Sequence, residues 1–381
     1  MDFPTFDGLL RGFQQEIGTA HNLPDLTVSG GRVDAPVVVL VHGIGGNAMH
    51  WADPIGLSAS STWLFNLAAE PGTHVSGIGS SPPYAPGSVT SWCQTLANEG
   101  FTYVTWSLTN PNDTLDYSVA DTIAVLRGLE ERVFAPYEAD VAANGGSVPP
   151  LVILCHSRGG LVTRAALKQL GSAGVPHLRK VVTLCTPHGG SFMPRLASDY
   201  NTTLGTSLDF DDLAQGLPGP LKHVVGKRIT PLLEDMANRV RTALLHSFGT
   251  LAQGPGFAEL DPASDTMHAL VRDEQPLPNV QYHGFAGSDP TFIHFYLCEL
   301  GRAFHLLATA SPFLVEQIAR IPGVGEQYGG LAELSRGDSA VGQESSKWPA
   351  AFGASHRVLS LNHMQALIDP TLQRQVLDLI R

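Results

Sequence analysis

The stretch Pro149-Pro150-Leu151-Val152-Ile153-Leu154-Cys155-His156-Ser157-Arg158-Gly159-Gly160-Leu161-Val162-Thr163-Arg164 decides how the rest of the chain is read. Leu151 to Leu154 form the short unbroken apolar run of a buried parallel strand. Beyond Gly159, apolar residues at Leu161, Val162, Ala165, Ala166 and Leu170 recur with a helical period. Strand, tight turn with a central serine, then helix is the context of a nucleophile elbow. Such a turn strains the serine backbone and lifts Oγ at the carboxyl edge of the sheet, where the positive end of the following helix meets developing negative charge. On its own the string fits equally well a serine in an ordinary strand-to-helix turn, so its weight comes from the neighbouring segments.

Upstream, Val37-Val38-Val39-Leu40-Val41 is β-branched and uninterrupted, and it runs into His42-Gly43-Ile44-Gly45-Gly46. A glycine-rich loop at a parallel strand's end can leave backbone N–H groups pointing into a site. Paired with the elbow, the Ile44 and Arg158 N–H groups become candidate donors to an oxyanion. Further strands are expected at Phe101–Leu108, Lys180–Cys185, Val280–Gly287 and Arg357–Leu361. Helices are expected at Trp92–Asn98, Tyr117–Ala143 and Thr371–Ile380, and residues 1–35 read as an opening helix and an edge hairpin. Strands alternating with helices predict a doubly wound, mostly parallel α/β sheet.

Three stretches read as insertions in one domain spanning residues 1–381. Residues 47–90 are rich in Ser, Gly and Pro, with a short helical pattern near Trp63–Ala69. Trp51, Trp63 and Tyr84 there suit packing on the body or an acyl pocket. Residues 192–278 contain an amphipathic helical pattern from Ile229 to Phe248 behind Thr230-Pro231, a suitable cap pair for a lid helix. Residues 290–328 are apolar and read as helical from His294 to about Gly323.

With 381 residues, 43% of them hydrophobic and 15% charged, the chain has ample material for a core. The net charge of −12 disfavours nucleic acid or an anionic membrane as principal partner. No apolar run reaches the roughly 20 residues that span a bilayer. Transient contact with a lipid interface stays open. Without a recognisable leader the expected location is the cytosol, or outside the cell if a leader precedes this sequence. Cys93, Cys155, Cys185 and Cys298 show no metal-ligand spacing and are expected as free thiols, with a Cys155–Cys185 disulfide as the alternative.

Serine acyl transfer needs a base to take the hydroxyl proton and a carboxylate to orient that base. Asp338, in the turn Ser335-Arg336-Gly337-Asp338-Ser339, and His363, after the last strand, follow Ser157 in the order Ser, Asp, His that an α/β-hydrolase sheet imposes. Asp289 is the rival acid. His188, in Thr186-Pro187-His188-Gly189-Gly190, reads as a loop-ordering hydrogen bonder.

These pieces, with Phe257-Ala258-Glu259-Leu260-Asp261-Pro262-Ala263-Ser264 and Leu361-Asn362-His363-Met364, resemble the serine lipases and esterases of the α/β-hydrolase superfamily, on the branch that includes bacterial triacylglycerol lipases. The resemblance implies an α/β-hydrolase fold with helical lid insertions, Ser157 as nucleophile, His363 as base and Asp338 as acid. It also implies Ile44 and Arg158 as oxyanion donors and a hydrophobic, lipid-like ester as substrate, with no cofactor. Three positions depart from the family pattern. Cys155 replaces the first elbow glycine, Ser339 stands where glycine usually follows the acid, and Gln365 falls where several such lipases carry a calcium-holding aspartate, so no metal is expected. An acyltransferase, thioesterase or amidase would use the same residues, and a non-catalytic binding protein of this fold is the remaining class.

Overall fold

Each residue of Val37–Val41 is fully buried, and their side chains divide between two cores. Val37, Val39 and Val41 join one cluster while Val38 and Leu40 join the other. Leu151, Ile153 and Cys155 alternate with Val152 and Leu154 in the same way. A strand covered on both faces must be apolar throughout, which is why these two runs show no polar alternation.

The computed structural model describes residues 5–54, 67–70, 73–76, 90–195, 254–289, 293–299, 302–309 and 336–381. In chain order the first elements are α1 (Phe6–Ala20), β1 (Thr27–Ser29), β2 (Val37–Val41), α2 (Met49–Ala52), β3 (Leu67–Glu70), β4 (Thr73–Ser76), α3 (Trp92–Asn98) and β5 (Thr102–Thr105). Then come α4 (Leu115–Leu129), a wide π turn (Glu130–Phe134), α5 (Ala135–Asn144), β6 (Leu151–His156), α6 (Arg158–Gly174) and β7 (Leu178–Leu184). The remainder is α7 (Pro255–Ala258), α8 (Asp265–Val271), β8 (Gln281–Gly287), β9 (Ile293–Glu299), β10 (Arg302–Thr309), β11 (Ser355–Leu359) and α9 (Pro370–Ile380).

The main sheet has the order β1-β5-β2-β6-β7-β8-β11, parallel except for the edge strand β1. One face packs on α1, α4, α6 and α8, and the other on α3 and α9. This is the α/β-hydrolase architecture expected above: a mostly parallel sheet flanked by helices.

Four local expectations are corrected. The edge hairpin expected within residues 1–35 does not form: Thr27–Ser29 pairs antiparallel with β5. β5 stops at Thr105 because the backbone beyond it turns to side chains: Ser107 N–H donates to Asp25 Oδ1 at 3.0 Å and Leu108 N–H to His42 Nε2 at 3.0 Å. Leu67–Glu70 is a strand rather than the end of a helix.

The fourth correction is the largest. The stretch read as helical from His294 contains β9 and β10, an antiparallel pair in which Glu299 faces Arg302, so only Leu300 and Gly301 separate the strands. Aromatic-rich apolar runs fit both periods. β9 and β10 join β3 and β4 in a second sheet of order β10-β9-β4-β3. Its strands come from the two chain excursions that follow β2 and β8. The expected lid helix at 229–248, together with Trp63, Tyr84, residues 196–253 of the second insertion and residues 310–328 of the third, lies outside the described residues. Among the described residues no helix is long and apolar enough to cross a membrane.

Candidate active site

β6 continues through Cys155 and His156, so the chain must reverse at one residue before α6 begins at Arg158. That residue is Ser157, with φ 54° and ψ −132°, a backbone conformation non-glycine residues rarely adopt. The reversal also brings α6 against the end of β2: a Cβ on Gly159 would stand 2.4 Å from the Val41 carbonyl oxygen. Only glycine fits there. Cys155, in place of the usual first glycine, points away from the crowded side; its Sγ lies beneath α6, 3.1 Å from Thr163 Oγ1, and burial pushes the thiol up to about 12. Cys93, Cys155 and Cys185 are all free and buried.

The structure brings Ser157, His363 and Asp338 together. His363 Nε2 lies 2.9 Å from Ser157 Oγ, and His363 Nδ1 lies 2.9 Å from Asp338 Oδ2. The carboxylate can only accept, which assigns the proton of the neutral imidazole to Nδ1 and leaves Nε2 to accept the serine hydroxyl. Asp338 Oδ1 accepts the N–H groups of Ala340 (3.0 Å) and Val341 (2.7 Å), and Cys185 Sγ lies within 4.8 Å of the carboxylate. Burial pushes the Asp338 carboxyl up, but His363 and these donors outweigh it and hold the group below its ordinary value. Asp289, the rival acid, lies two residues beyond β8 and its N–H donates to the Leu361 carbonyl at 3.1 Å; the residue meeting His363 Nδ1 is Asp338.

The backbone of His363 is held from both sides. Its N–H donates to the Asp338 carbonyl at 2.8 Å, and its carbonyl accepts His156 Nε2 at 2.9 Å. Gln365 is fully buried, and its Oε1 accepts the Asn362 N–H at 2.5 Å, so this residue braces the loop carrying His363. Ser339 has φ 81°, which explains why a glycine is at home after the acid.

The loop after β2 abuts Ser157, since a Cβ on Gly43 would stand 2.8 Å from Ser157 Cβ. Neither the Ile44 N–H nor the Arg158 N–H donates to a backbone carbonyl among the described residues. Arg158 is anchored through its buried guanidinium, which donates to the carbonyls of Pro111 (3.1 Å) and Asp113 (2.6 Å) and lies 3.7 Å from Glu259. His42 Nδ1 donates to the Gly43 carbonyl at 2.8 Å while Nε2 accepts the Leu108 N–H, fixing one neutral tautomer. Burial lowers His42 to about 4 and His156 to about 3, and drives His50 well below the ordinary histidine range. Neutral His156 and His50 therefore adjoin His363, and His42 packs on His50.

His188 behaves as a loop-ordering residue: its ring approaches Thr183 Oγ1 at 3.1 Å and its carbonyl accepts Arg164 at 2.9 Å. Trp51 is fully buried beside Trp92 and belongs to the core. Cys185, Asp338 and His363 each bring one potential ligand atom within 4.8 Å of the others, a donor set zinc would accept by type. Asp338 and both ring nitrogens of His363 are committed to hydrogen bonds within the site.

Sequence reasoning missed the roles of His156, Cys185 and Gln365. All three adjoin motif residues, but their partners come from other strands, so no local spacing signals them. Glu259 lay in a quoted motif, and its pairing with Arg158 across 101 positions of chain needed the fold.

No protein-family model and no curated protein matches this chain. Among solved structures it is similar to the lipase BlEst2 of Bacillus licheniformis in mature form, at 14% identity and a TM-score of 0.48, covering 93% of this chain and 97% of that one. It is also similar to the hydrolase olei00960 of Oleispira antarctica, at 11% identity and a TM-score of 0.40, covering 96% and 97%. The metagenomic carboxyl esterase MGS0156 matches at 13% identity and a TM-score of 0.38, covering 91% and 71%. At these identities and scores the likeness assigns no activity to this chain.

Proposed function

We propose that the protein is a serine carboxylic-ester hydrolase acting on hydrophobic acyl esters. The observation that carries this reading is the hydrogen-bonded series Ser157 Oγ, His363 Nε2, His363 Nδ1 and Asp338 Oδ2 at the carboxyl edge of a parallel sheet. Ser157 Oγ attacks the ester carbonyl as its proton passes to His363 Nε2. Asp338 holds the imidazole in the required tautomer and stabilises the imidazolium that forms. Charge building on the carbonyl oxygen is met by the Ile44 and Arg158 N–H groups and by the N-terminus of α6. His363 then protonates the leaving alcohol, and water releases the acyl group by the same path.

The preference for a hydrophobic acyl group follows from the apolar content of residues 229–248 and 295–318. Hydrolysis rates of p-nitrophenyl esters from short to long acyl chains test the reading, with Ser157→Ala run alongside. Turnover should fall by roughly 10⁴-fold or more in that variant, with folding intact. Activity retained by Ser157→Ala sinks the assignment.

A further inference from the structure

Resting on the serine-hydrolase reading, we propose that Cys185 is a positioning residue: its S–H holds the Asp338 carboxylate, which in turn holds the base. Cys185 is the residue immediately after β7, where its N–H continues the sheet by donating to the Phe285 carbonyl at 2.7 Å. It has φ 51°, a left-handed conformation that strains a non-glycine residue. Glycine would carry no such cost, so the side chain has a use that offsets it. That side chain is 1% exposed, and its Sγ lies within 4.8 Å of the ligand atoms of both Asp338 and His363.

The thiol is a fixed neutral donor. Burial and the adjacent Asp338 charge push it well above its ordinary value, so it stays S–H and never competes with Asp338 as an anion. Asp338 then receives two backbone N–H groups from its own turn, the imidazole N–H from the loop after β11, and the thiol from the end of β7. The first two lie within three residues of Asp338 and move with it. The thiol ties the carboxylate to the sheet itself.

The charge consequence has a definite sign. A donor to the carboxylate spreads its negative charge and weakens its hold on the imidazolium. Without the donor the carboxylate is more basic toward His363, and the imidazolium is favoured. The other titratable groups facing His363 are His156 from the end of β6 and His50 from α2, with His42 from the loop after β2 packed behind His50. Burial keeps all three neutral, so they do not titrate with the base.

The test compares Cys185→Ala, Cys185→Gly and Cys185→Ser. In the Ala and Gly variants the acid limb of the kcat/KM–pH profile should move up by roughly half a pH unit, with kcat reduced several-fold and KM little changed. Ser supplies a hydroxyl donor and should restore both. Gly should be at least as resistant to urea as Ala, because it relieves the positive φ. Profiles unmoved in Ala and Gly, or a Ser variant behaving like Ala, would overturn the proposal. The S–H infrared stretch, assigned from the difference between wild type and Cys185→Ala, should be displaced to the lower frequency of a thiol bonded to a carboxylate. A band at the free-thiol position would refute the contact without reference to turnover. The two failures are separable: activity in Ser157→Ala removes the serine mechanism, whereas the S–H band reports on Cys185 in the resting protein.

Discussion

Lowering the pH from 7 to 5 should destabilise this protein through histidines that never touch substrate. His42 and His156 have ordinary values of 6.5 and are lowered by burial to about 4 and about 3. Each is a base with a depressed folded value, so the unfolded chain binds the extra proton. Stability is fully present above 6.5 and is lost as pH falls through the window toward the folded values. At pH 5 each group is almost wholly protonated in the unfolded chain and almost wholly neutral in the folded one. This costs about 2 kcal/mol per group, or about 4 kcal/mol for the pair. His50 and His188, also driven down by burial, act in the same direction. Glu130, raised by burial beside His177, opposes them. A loss of about 4 kcal/mol is a large part of the roughly 5–15 kcal/mol that holds a domain folded. Urea unfolding at constant ionic strength, at half-unit steps from pH 7 to 5, should show the midpoint falling with an unchanged slope m. Ring-proton resonances of His42 and His156 should stay unprotonated to below pH 5. Stability flat across this interval, or both rings titrating near 6.5 in the folded protein, would refute the reasoning.

Two more outcomes follow from the site geometry. Asp338→Asn should cost on the order of 10⁴-fold in kcat, since it presents the wrong partner to Nδ1, while Asp289→Asn should cost far less; steady-state kinetics on one ester decides, and the reverse ranking would transfer the acid role to Asp289. Ser339→Gly should stabilise the protein by about 0.5–1 kcal/mol, because glycine adopts φ 81° without strain; urea midpoints read it, and a lower midpoint would show that the Ser339 side chain contributes more than its backbone costs.

Much of this protein is legible along the chain because the signals are local. Val37–Val41 and Leu151–Leu154 announce themselves as strands buried on both faces, since a strand sandwiched by helices favours apolar residues at successive positions. Ser157 stands out because a strand must turn into a helix around it, and Gly159 because two backbones meet there. The order Ser157, Asp338, His363 is readable because successive parallel strands deliver their loops to one edge. Where two periods fit the same letters, as at His294–Thr309, the chain alone did not separate strand from helix.

Tertiary structure decided which groups meet across long chain separations. It selected Asp338 over Asp289 as the partner of His363, a choice made by how the loop after β11 leaves the sheet. It set His156 on the His363 carbonyl and brought Cys185 Sγ within 4.8 Å of the Asp338 carboxylate, across the ends of different strands. Such contacts depend on strand register and loop path, which many sequences can satisfy and no local pattern encodes. Strand and turn propensities are written into neighbouring residues. The partners that tune a carboxylate and hold a base are written only into the folded chain.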